Sequence, residues 1–402
     1  MRLRFFTIAA TLLTTLSQQI FAQESEEVAT TQTELTPRME KTIARQQHRD
    51  SVRANKKVWT SILGGPSYTP EASLGVAGAV LMSFKINEAD TVSQRSYLPA
   101  GFNISLNGTF VVAGYGALFF NEEKFKIYSS YSFRNEPANF YGVGFDEIDS
   151  VERGDETTLY NKRSLIFFNR YVWEVKDNLF VGPVSDINFS YSYDLNEVMA
   201  ENSYVNKYRT RYTNIGLGAI VQYDTRDDVA TPHSGVLLSA MSRFYSRAFG
   251  GSYNYQFYDI EYRQFTPLFK RAILGWTLRT QFTYGDVPFT ELPMFGSPFD
   301  LRGYYWGKYR DKSMGYGIVE YRQMFGSEEA YKRGDRISKF GYVAWVGAGT
   351  LGTTMADWNE VKINYGIGLR AQLQPRKNFR FDVGKGQGND GWLFYMNMTE
   401  AF

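Results

Sequence analysis

In the stretch VKINYGIGLRAQL, residues 361 to 373, every odd-numbered position carries an apolar side chain. Its even-numbered positions carry polar side chains or glycine. This period-two alternation is typical of a β-strand whose two faces meet different surroundings. In a soluble sandwich the apolar face enters a core, whereas in a membrane barrel it meets lipid and the polar face lines the interior. The apolar positions are Val361, Ile363, Tyr365, Ile367, Leu369, Ala371 and Leu373.

The N-terminal residues have the pattern of a secretory signal peptide. Arg2 and Arg4 precede an apolar run from Phe5 to Leu16, and small or apolar residues follow at 20–22. We therefore expect residues 1–22 to be a signal peptide, which is too short to serve as a membrane anchor. The run could instead form a buried N-terminal helix, a reading that the flanking charges disfavour.

Composition separates the two kinds of β-structure and excludes several classes of protein. The chain has no cysteine, which excludes a disulfide-stapled scaffold, and its net charge of +2 offers no footprint for nucleic acid. No later run approaches the roughly 18 apolar residues of a transmembrane helix. Aromatic residues make up 17% of the chain, including 29 Tyr and 31 Phe. Together with export, this load is typical of an outer-membrane β-barrel with aromatic girdles.

Alternating runs recur along the chain from Val58 onward. They predict about sixteen strands, an even number as in bacterial outer-membrane barrels. One run slips phase between Phe257 and Tyr258, which predicts a bulge. We expect an all-β fold, a transmembrane antiparallel β-barrel over residues 58–402. The predicted strands lie near 58–67, 73–85, 97–106, 109–120, 123–134, 160–174, 178–192, 208–224, 234–246, 252–266, 271–285, 314–325, 338–349, 361–373, 377–384 and 391–402.

Residues 23–57 are expected to form a periplasmic leader. Thr36 and Pro37 can begin a helix that runs to about Lys57. Basic side chains recur at every fourth position of this helix and so share one face. We expect the basic helix to dock at the periplasmic opening of the barrel as a tether or plug, although a solvated charged helix is the other interpretation. The basic positions are Lys41, Arg45, Arg49, Arg53 and Lys57.

Four motifs occur in a consistent order in the second half of the chain. The loop stretch SPFDLRGYYWGKYRDKSMGYGIVEYRQMF, residues 297–325, contains LRGY and the strand VEYRQMF. DTRDDVATPHSG lies at 224–235, and FRFDVGKGQGNDGWLFYMNMTEAF ends the chain. Together they resemble the BamA/TamA-type surface-antigen superfamily of outer-membrane assembly and translocation barrels. The resemblance implies that the LRGY loop folds back into the barrel.

The loop motif consists of Arg302, Gly303, Tyr304 and Glu320. A guanidinium in a barrel interior needs a carboxylate partner, and Glu320 shares the polar face of its strand. Glycine permits the turn that aims Arg302 inward. Gly347 stands where many family members have a supporting aspartate, so the lock would rest on Glu320 alone or on another acid such as Asp300. The contrary interpretation is an exposed loop whose arginine is solvated.

The resemblance implies two further sites. The turn between the eighth and ninth strands contributes Asp224, Arg226, Asp227, Pro232 and Gly235. The end of the chain supplies a C-terminal assembly signal. Its residues are Phe394 and Phe402, the latter expected at the lipid interface.

The expected function is that of an accessory in protein or lipid assembly or translocation at the outer membrane of a Gram-negative bacterium. The expected partners are outer-membrane lipid, the barrel-assembly machinery during biogenesis, and a client or periplasmic protein. The family's periplasmic POTRA repeats have no counterpart in 23–57, which leaves a passive pore or a structural barrel without clients as the alternative. Enzymatic activity, a cofactor and a metal site are not expected, because His48 and His233 are the two histidines and neither would reach an outer site.

Overall fold

The computed structural model describes residues 57–69, 73–269, 271–326, 338–374, 377–398 and 400–402. Sixteen strands form one antiparallel sheet, in which each strand pairs with the next along the chain. All sixteen predicted strands are confirmed, with changes at their ends. They are β1 (Val58–Thr69), β2 (Ser73–Phe84), β3 (Ser96–Ser105), β4 (Phe110–Phe120), β5 (Phe125–Asn139), β6 (Leu159–Lys176), β7 (Leu179–Tyr193), β8 (Arg211–Asp224), β9 (Gly235–Tyr245), β10 (Tyr255–Pro267), β11 (Ala272–Gly285), β12 (Ser313–Met324), β13 (Phe340–Gly352), β14 (Lys362–Gln374), β15 (Lys377–Gly386) and β16 (Trp392–Met398).

The two faces of the sheet have opposite chemistry. On β14, Ile367 and Leu369 are 66% and 61% exposed, whereas Asn364 and Arg370 are 0% and 2% exposed. Apolar side chains therefore point outward and polar ones inward along this strand. This arrangement is the reverse of a soluble sandwich and has the pattern expected of a membrane barrel.

The connections divide between two ends of the sheet. Those after odd-numbered strands lie at one end, which we call the loop end, and those after even-numbered strands lie at the turn end. In the described part of the chain, three short helices that sequence reasoning did not predict lie in loop-end connections: α1 (Phe145–Ser150), α2 (Glu197–Glu201) and α3 (Ser203–Asn206). Within the described residues, no helix has both the length and the apolar character needed to cross a membrane.

The longest loop-end connection, residues 286–312, folds into the interior. Its Phe295, Leu301, Tyr304 and Tyr309 are buried in one cluster with side chains of the surrounding strands, including Trp345. A short pairing of Met294–Phe295 with Tyr309–Arg310 closes the loop on itself. The loop thus supplies much of the apolar core inside the sheet.

The bulge predicted in the tenth strand is wrong. β10 keeps an unbroken register with both of its neighbours. Tyr255 and Phe257 point inward and join an interior aromatic cluster. In this part of β10 apolar side chains lie on the inward face because the interior at the loop end is itself apolar. The change of pattern therefore needs no extra residue in the strand. Register shifts occur instead between Glu174 and Lys176 and between Gln372 and Gln374.

The first and last strands have one paired edge each. β1 pairs with β2, and β16 pairs with β15. In the part of the chain that the structure describes, no strand pairing joins β1 to β16. The expected signal peptide and nearly all of the leader lie in residues 1–56, outside the described residues.

Candidate functional site

The turn that carries the loop motif is organised by Asp300. Its carboxylate accepts hydrogen bonds from the backbone N–H groups of Gly296 (2.9 Å) and Ser297 (2.7 Å) and from the Ser297 hydroxyl (2.7 Å). These three donors occupy the carboxylate, so Asp300 shapes the turn and is not the alternative partner of Arg302. That suggestion from the sequence is therefore wrong.

Arg302 lies fully buried between two carboxylates. Its Nη2 donates to Glu320 of β12, and its Nη1 donates to Asp382 of β15 at 2.7 Å. The guanidinium also lies over the ring of Trp345, 3.6 Å from its centroid. A buried guanidinium is stable only when its charge and its donors are matched, and two carboxylates and an aromatic face provide that match.

Gly303 and Tyr304 tie the same turn to the final strands. Gly303 has a φ of +117°, and a Cβ there would lie 2.4 Å from the carbonyl carbon of Lys385. The Tyr304 hydroxyl donates to the Ile363 carbonyl at 2.6 Å and accepts from the Gln387 N–H at 2.8 Å. The exposed-loop interpretation is contradicted, because Arg302 and Tyr304 are both 0% exposed. We call Arg302, Gly303, Tyr304 and Glu320 the loop lock.

The loop lock belongs to a larger ion network. Arg322 donates to Glu320 at 2.7 Å, and Arg370 donates to Asp382 at 2.6 Å. Arg370 also donates to Glu400 at 2.8 Å. The network therefore runs from the long loop, across β12, β14 and β15, to the last residues of the chain. Its members are Arg302, Arg322, Arg370, Arg380, Glu320, Asp382 and Glu400.

Phe402 lies inside the sheet, so its expected position at the lipid interface is wrong. It is 5% exposed and stacks on Phe265 with ring centroids 6.0 Å apart. The Arg322 guanidinium lies 5.0 Å from the Phe402 ring and donates to its backbone oxygen at 3.0 Å. Glu400 draws the end of the chain inward through Arg370, and the aromatic ring follows. Phe394, on β16, points outward and is 61% exposed.

The turn between β8 and β9 is held by its own side chains. Arg226 makes two hydrogen bonds of 2.8 Å to Asp224, and Asp227 accepts the backbone N–H groups of His233 (2.9 Å) and Ser234 (3.1 Å). Pro232 is buried. Gly235 has a φ of +103°, and a Cβ would lie 2.3 Å from the Thr225 carbonyl oxygen.

This turn also closes part of the turn end. Ala230 is buried in an interior cluster with side chains such as Leu81 and Phe180. Asp228 forms an ion pair with Lys377 of β15 at 3.4 Å, and the Glu400 N–H donates to the Ala230 carbonyl at 3.4 Å. The turn motif and the end of the chain therefore meet inside the barrel.

Of the predicted basic helix, the structure describes Lys57. It lies directly before β1, is exposed, and forms an ion pair with Glu88 at 3.3 Å. An exposed pair of this kind contributes at most about 1 kcal/mol. Lys41, Arg45, Arg49 and Arg53 lie outside the described residues.

Sequence reasoning did not place Asp382, Arg370 or Trp345 beside the loop lock, and it did not connect Glu400 to the ion network. The alternation of residues 361–373 already places Arg370 on the inward-facing side, and the same reasoning could have marked Asp382 as inward-facing. Nothing in the sequence connected them to Arg302. Gly347 is explained by packing, since a Cβ there would lie 2.5 Å from Asn364 Oδ1 and 3.0 Å from Leu301. Asp382 supplies the second carboxylate from another strand.

Solved structures of similar fold include BamA from Haemophilus ducreyi lacking POTRA domains 1-3. It shares 13% identity at a TM-score of 0.53, with 85% of this chain and 69% of that chain covered. CdiB from Escherichia coli shares 11% identity at a TM-score of 0.53, with 86% and 63% covered. CdiB from Acinetobacter baumannii shares 11% identity at a TM-score of 0.51, with 86% and 60% covered. The chain thus spans less than two thirds of either CdiB chain, and identities this low show the fold alone.

Sequence comparison gives a complementary result. No curated protein matches the chain. The family model described as the Omp85 superfamily domain matches residues 181–402, which include the loop lock, the turn motif and the end of the chain. This match confirms the family resemblance drawn from the four motifs, and the chain belongs to the Omp85 superfamily.

Proposed function

We propose that this chain is an outer-membrane barrel of a Gram-negative bacterium that assists protein or lipid assembly or translocation at that membrane. The observation that carries the proposal is that, within the described residues, β1 has β2 as its one strand partner and β16 has β15 as its one strand partner, so that no pairing joins the first strand to the last. An unpaired edge presents a row of backbone N–H and C=O groups that can pair with another extended chain. A seam between the first and last strands is also what the family resemblance implies.

The two sides of this seam differ in stiffness. β1 contains Gly64, Gly65 and Pro66, and glycine weakens strand pairing while proline donates no hydrogen bond. The β16 side is tied through β15 to the loop lock, by Arg302 to Asp382 and by Gly303 N–H to the Tyr395 hydroxyl at 2.8 Å. We infer that β1 is the edge that moves and that the loop lock holds the other edge in place.

A passive pore is the second candidate, and the segments that fold into the interior argue against it. The loop 286–312 places Phe295, Leu301, Tyr304 and Tyr309 in the interior, where they are buried. The turn that contains Ala230 and the residues from Glu400 onward occupy part of the turn end. A passive pore needs a continuous polar path, so high single-channel conductance of the purified full chain would favour this candidate over the first.

Photo-crosslinking in cells tests the assembly function. A crosslinking side chain is placed at Ile62 of β1 or Phe394 of β16, which are 78% and 61% exposed on the outer face. Ile260 of β10, also outward and 42% exposed, is the matched control far from the seam. Protein or lipid adducts enriched at both seam positions over Ile260 are expected. Equal adducts at all three positions contradict a role for the seam.

The membrane location has its own test. A folded barrel in lipid or detergent migrates differently on gels before and after heating, and we expect this change in the outer-membrane fraction. Recovery of the chain in the soluble or inner-membrane fraction would contradict the whole proposal.

A further inference from the structure

A second polar site lies in the interior wall, away from the loop lock. It is a cavity of about 310 Å³ between β6, β9, β10 and β11. Among the described residues that line it are four guanidinium groups and two carboxylates. The charged lining residues are Arg170, Arg243, Arg263, Arg279, Asp259 and Glu261.

Three of the four arginines have carboxylate partners. Arg279 makes two hydrogen bonds to Asp259, at 2.8 and 2.5 Å. Arg263 donates to Glu261 at 2.8 Å. Arg243 donates at 2.5 Å to Asp186 of β7, a buried residue that does not line the cavity. These pairs neutralise three of the positive charges.

Arg170 is the exception. No carboxylate of the described residues lies within 4.0 Å of it, and its guanidinium stacks over the Tyr128 ring, 4.8 Å from the centroid. Its Nε is buried and, in the described part of the chain, has no hydrogen-bond partner. The Nε atoms of Arg243 and Arg263 are unsatisfied in the same sense. Three arginines around one cavity therefore retain unused donors.

The charge and the size of the cavity define what would satisfy these donors. Four guanidinium groups against the carboxylates of Asp186, Asp259 and Glu261 leave one positive charge in excess. An uncompensated charge inside a protein is costly, and guanidinium binds oxyanions through paired N–H donors. Since a water molecule occupies about 30 Å³ of liquid, the cavity has room for one small oxyanion with a few waters.

We propose that this cavity binds a small oxyanion of the phosphate class, with Arg170 as its principal ligand. Arg170 is suited to this role because the Tyr128 ring holds its planar guanidinium by stacking, which leaves the N–H groups free to bind a ligand in the cavity. Arg243 and Arg263 contribute their remaining N–H groups. The site is independent of the seam and of the loop lock, since no residue of the ion network lines the cavity.

Calorimetric titration of the full chain in detergent tests the site. Sodium phosphate is titrated in chloride buffer at constant ionic strength, and a parallel titration with glycerol 3-phosphate distinguishes free phosphate from a phosphomonoester. We expect saturable binding that Arg170→Gln weakens at least tenfold. Arg163→Gln is the matched control, because Arg163 lies on the same strand but donates to Asn135 outside the cavity; it should change the affinity less than twofold.

Several results would overturn the assignment. The absence of saturable binding by either ligand is one, and equal affinity in wild type and Arg170→Gln is another. If Arg170→Gln does not fold, Arg170→Lys takes its place, because lysine keeps the charge but loses the fork. An affinity lowered by Arg170→Lys supports the proposal, whereas an unchanged affinity contradicts it.

Discussion

Nη1 of Arg302 lies 2.7 Å from Oδ2 of Asp382, a residue 80 positions later in the chain. This contact joins the loop 286–312 to β15, the strand that holds the last strand in the sheet. The loop lock therefore acts on the edge of the sheet as well as on the loop that carries Arg302.

Removal of the central guanidinium should destabilise the barrel. Arg302→Ala leaves Glu320 and Asp382 buried with fewer partners, and breaking a buried ion pair costs about 3–5 kcal/mol. We expect unfolding at lower urea concentration and lower temperature. The double variant Arg302→Ala, Glu320→Ala should lose less free energy of unfolding than the two single variants added together, because the residues interact. Strict additivity would contradict the coupling.

A methyl group at Gly303 should disrupt the turn. Gly303→Ala combines a positive φ with a Cβ 2.4 Å from the Lys385 carbonyl carbon. Gly388 is a matched control, since its φ is +109° but a Cβ there meets nothing within 4 Å. The backbone cost of about 1–2 kcal/mol applies to both Gly303→Ala and Gly388→Ala. Any further loss of stability in Gly303→Ala therefore measures the steric conflict between its Cβ and the Lys385 backbone. Equal unfolding midpoints for the two variants would show that the approach is not tight.

Charge at the end of the chain should impair assembly. Phe402→Lys removes the ring that stacks on Phe265 and puts an ammonium beside the Arg322 guanidinium. Loss of a buried aromatic side chain costs about 3–5 kcal/mol, so the heat-modifiable, folded fraction should fall. Phe402→Leu keeps an apolar side chain and should retain most of that fraction. A normal folded fraction for Phe402→Lys would contradict the interior position.

Glu291, in the loop 286–312, should make stability depend on pH. Burial raises its pKa from 4.5 to about 7, and the charge of Lys162 offsets part of that effect. The folded state thus favours the protonated carboxyl. The contribution of Glu291 to the free energy of unfolding is therefore complete below pH 4.5 and is lost as the pH rises through 7. The free energy of unfolding should fall by roughly 3 kcal/mol, because each pH unit between the two pKa values corresponds to about 1.4 kcal/mol.

The comparison with Glu291→Gln isolates this contribution. The variant stays neutral at every pH, so its free energy of unfolding in urea should equal that of wild type at pH 4 and exceed it at pH 8. Parallel stability curves for the two proteins between these pH values would rule out a raised pKa at Glu291.

Docking of the basic helix stays a prediction, since residues 37–56 lie outside the described residues. Attraction to an anionic surface is worth about 1 kcal/mol per basic residue. Deletion of 37–56 should raise conductance if the helix plugs the opening, or reduce recovery of a partner if it tethers one. A deletion variant with unchanged conductance, partner recovery and barrel stability would identify the helix as a solvated linker.

The sequence by itself determined the sixteen strands and the direction of their faces. In β14 the apolar side chains of Ile363 and Leu369 point outward, as the alternation predicts. This information is local, because successive side chains of a strand point to opposite faces. The same rule failed in β10, where Phe257 is apolar and yet points inward. A strand pattern contains no information about an apolar loop that folds into the interior.

Only the tertiary structure decided which groups surround Arg302. Asp300, its neighbour in sequence, is occupied by the backbone of its own turn, while Asp382 is brought to Arg302 from β15. Phe402 likewise lies inside the barrel because Glu400 is bound by Arg370. These contacts depend on strand register and on the curvature of the whole sheet, which are set by pairings between distant residues. No local pattern of residues records them.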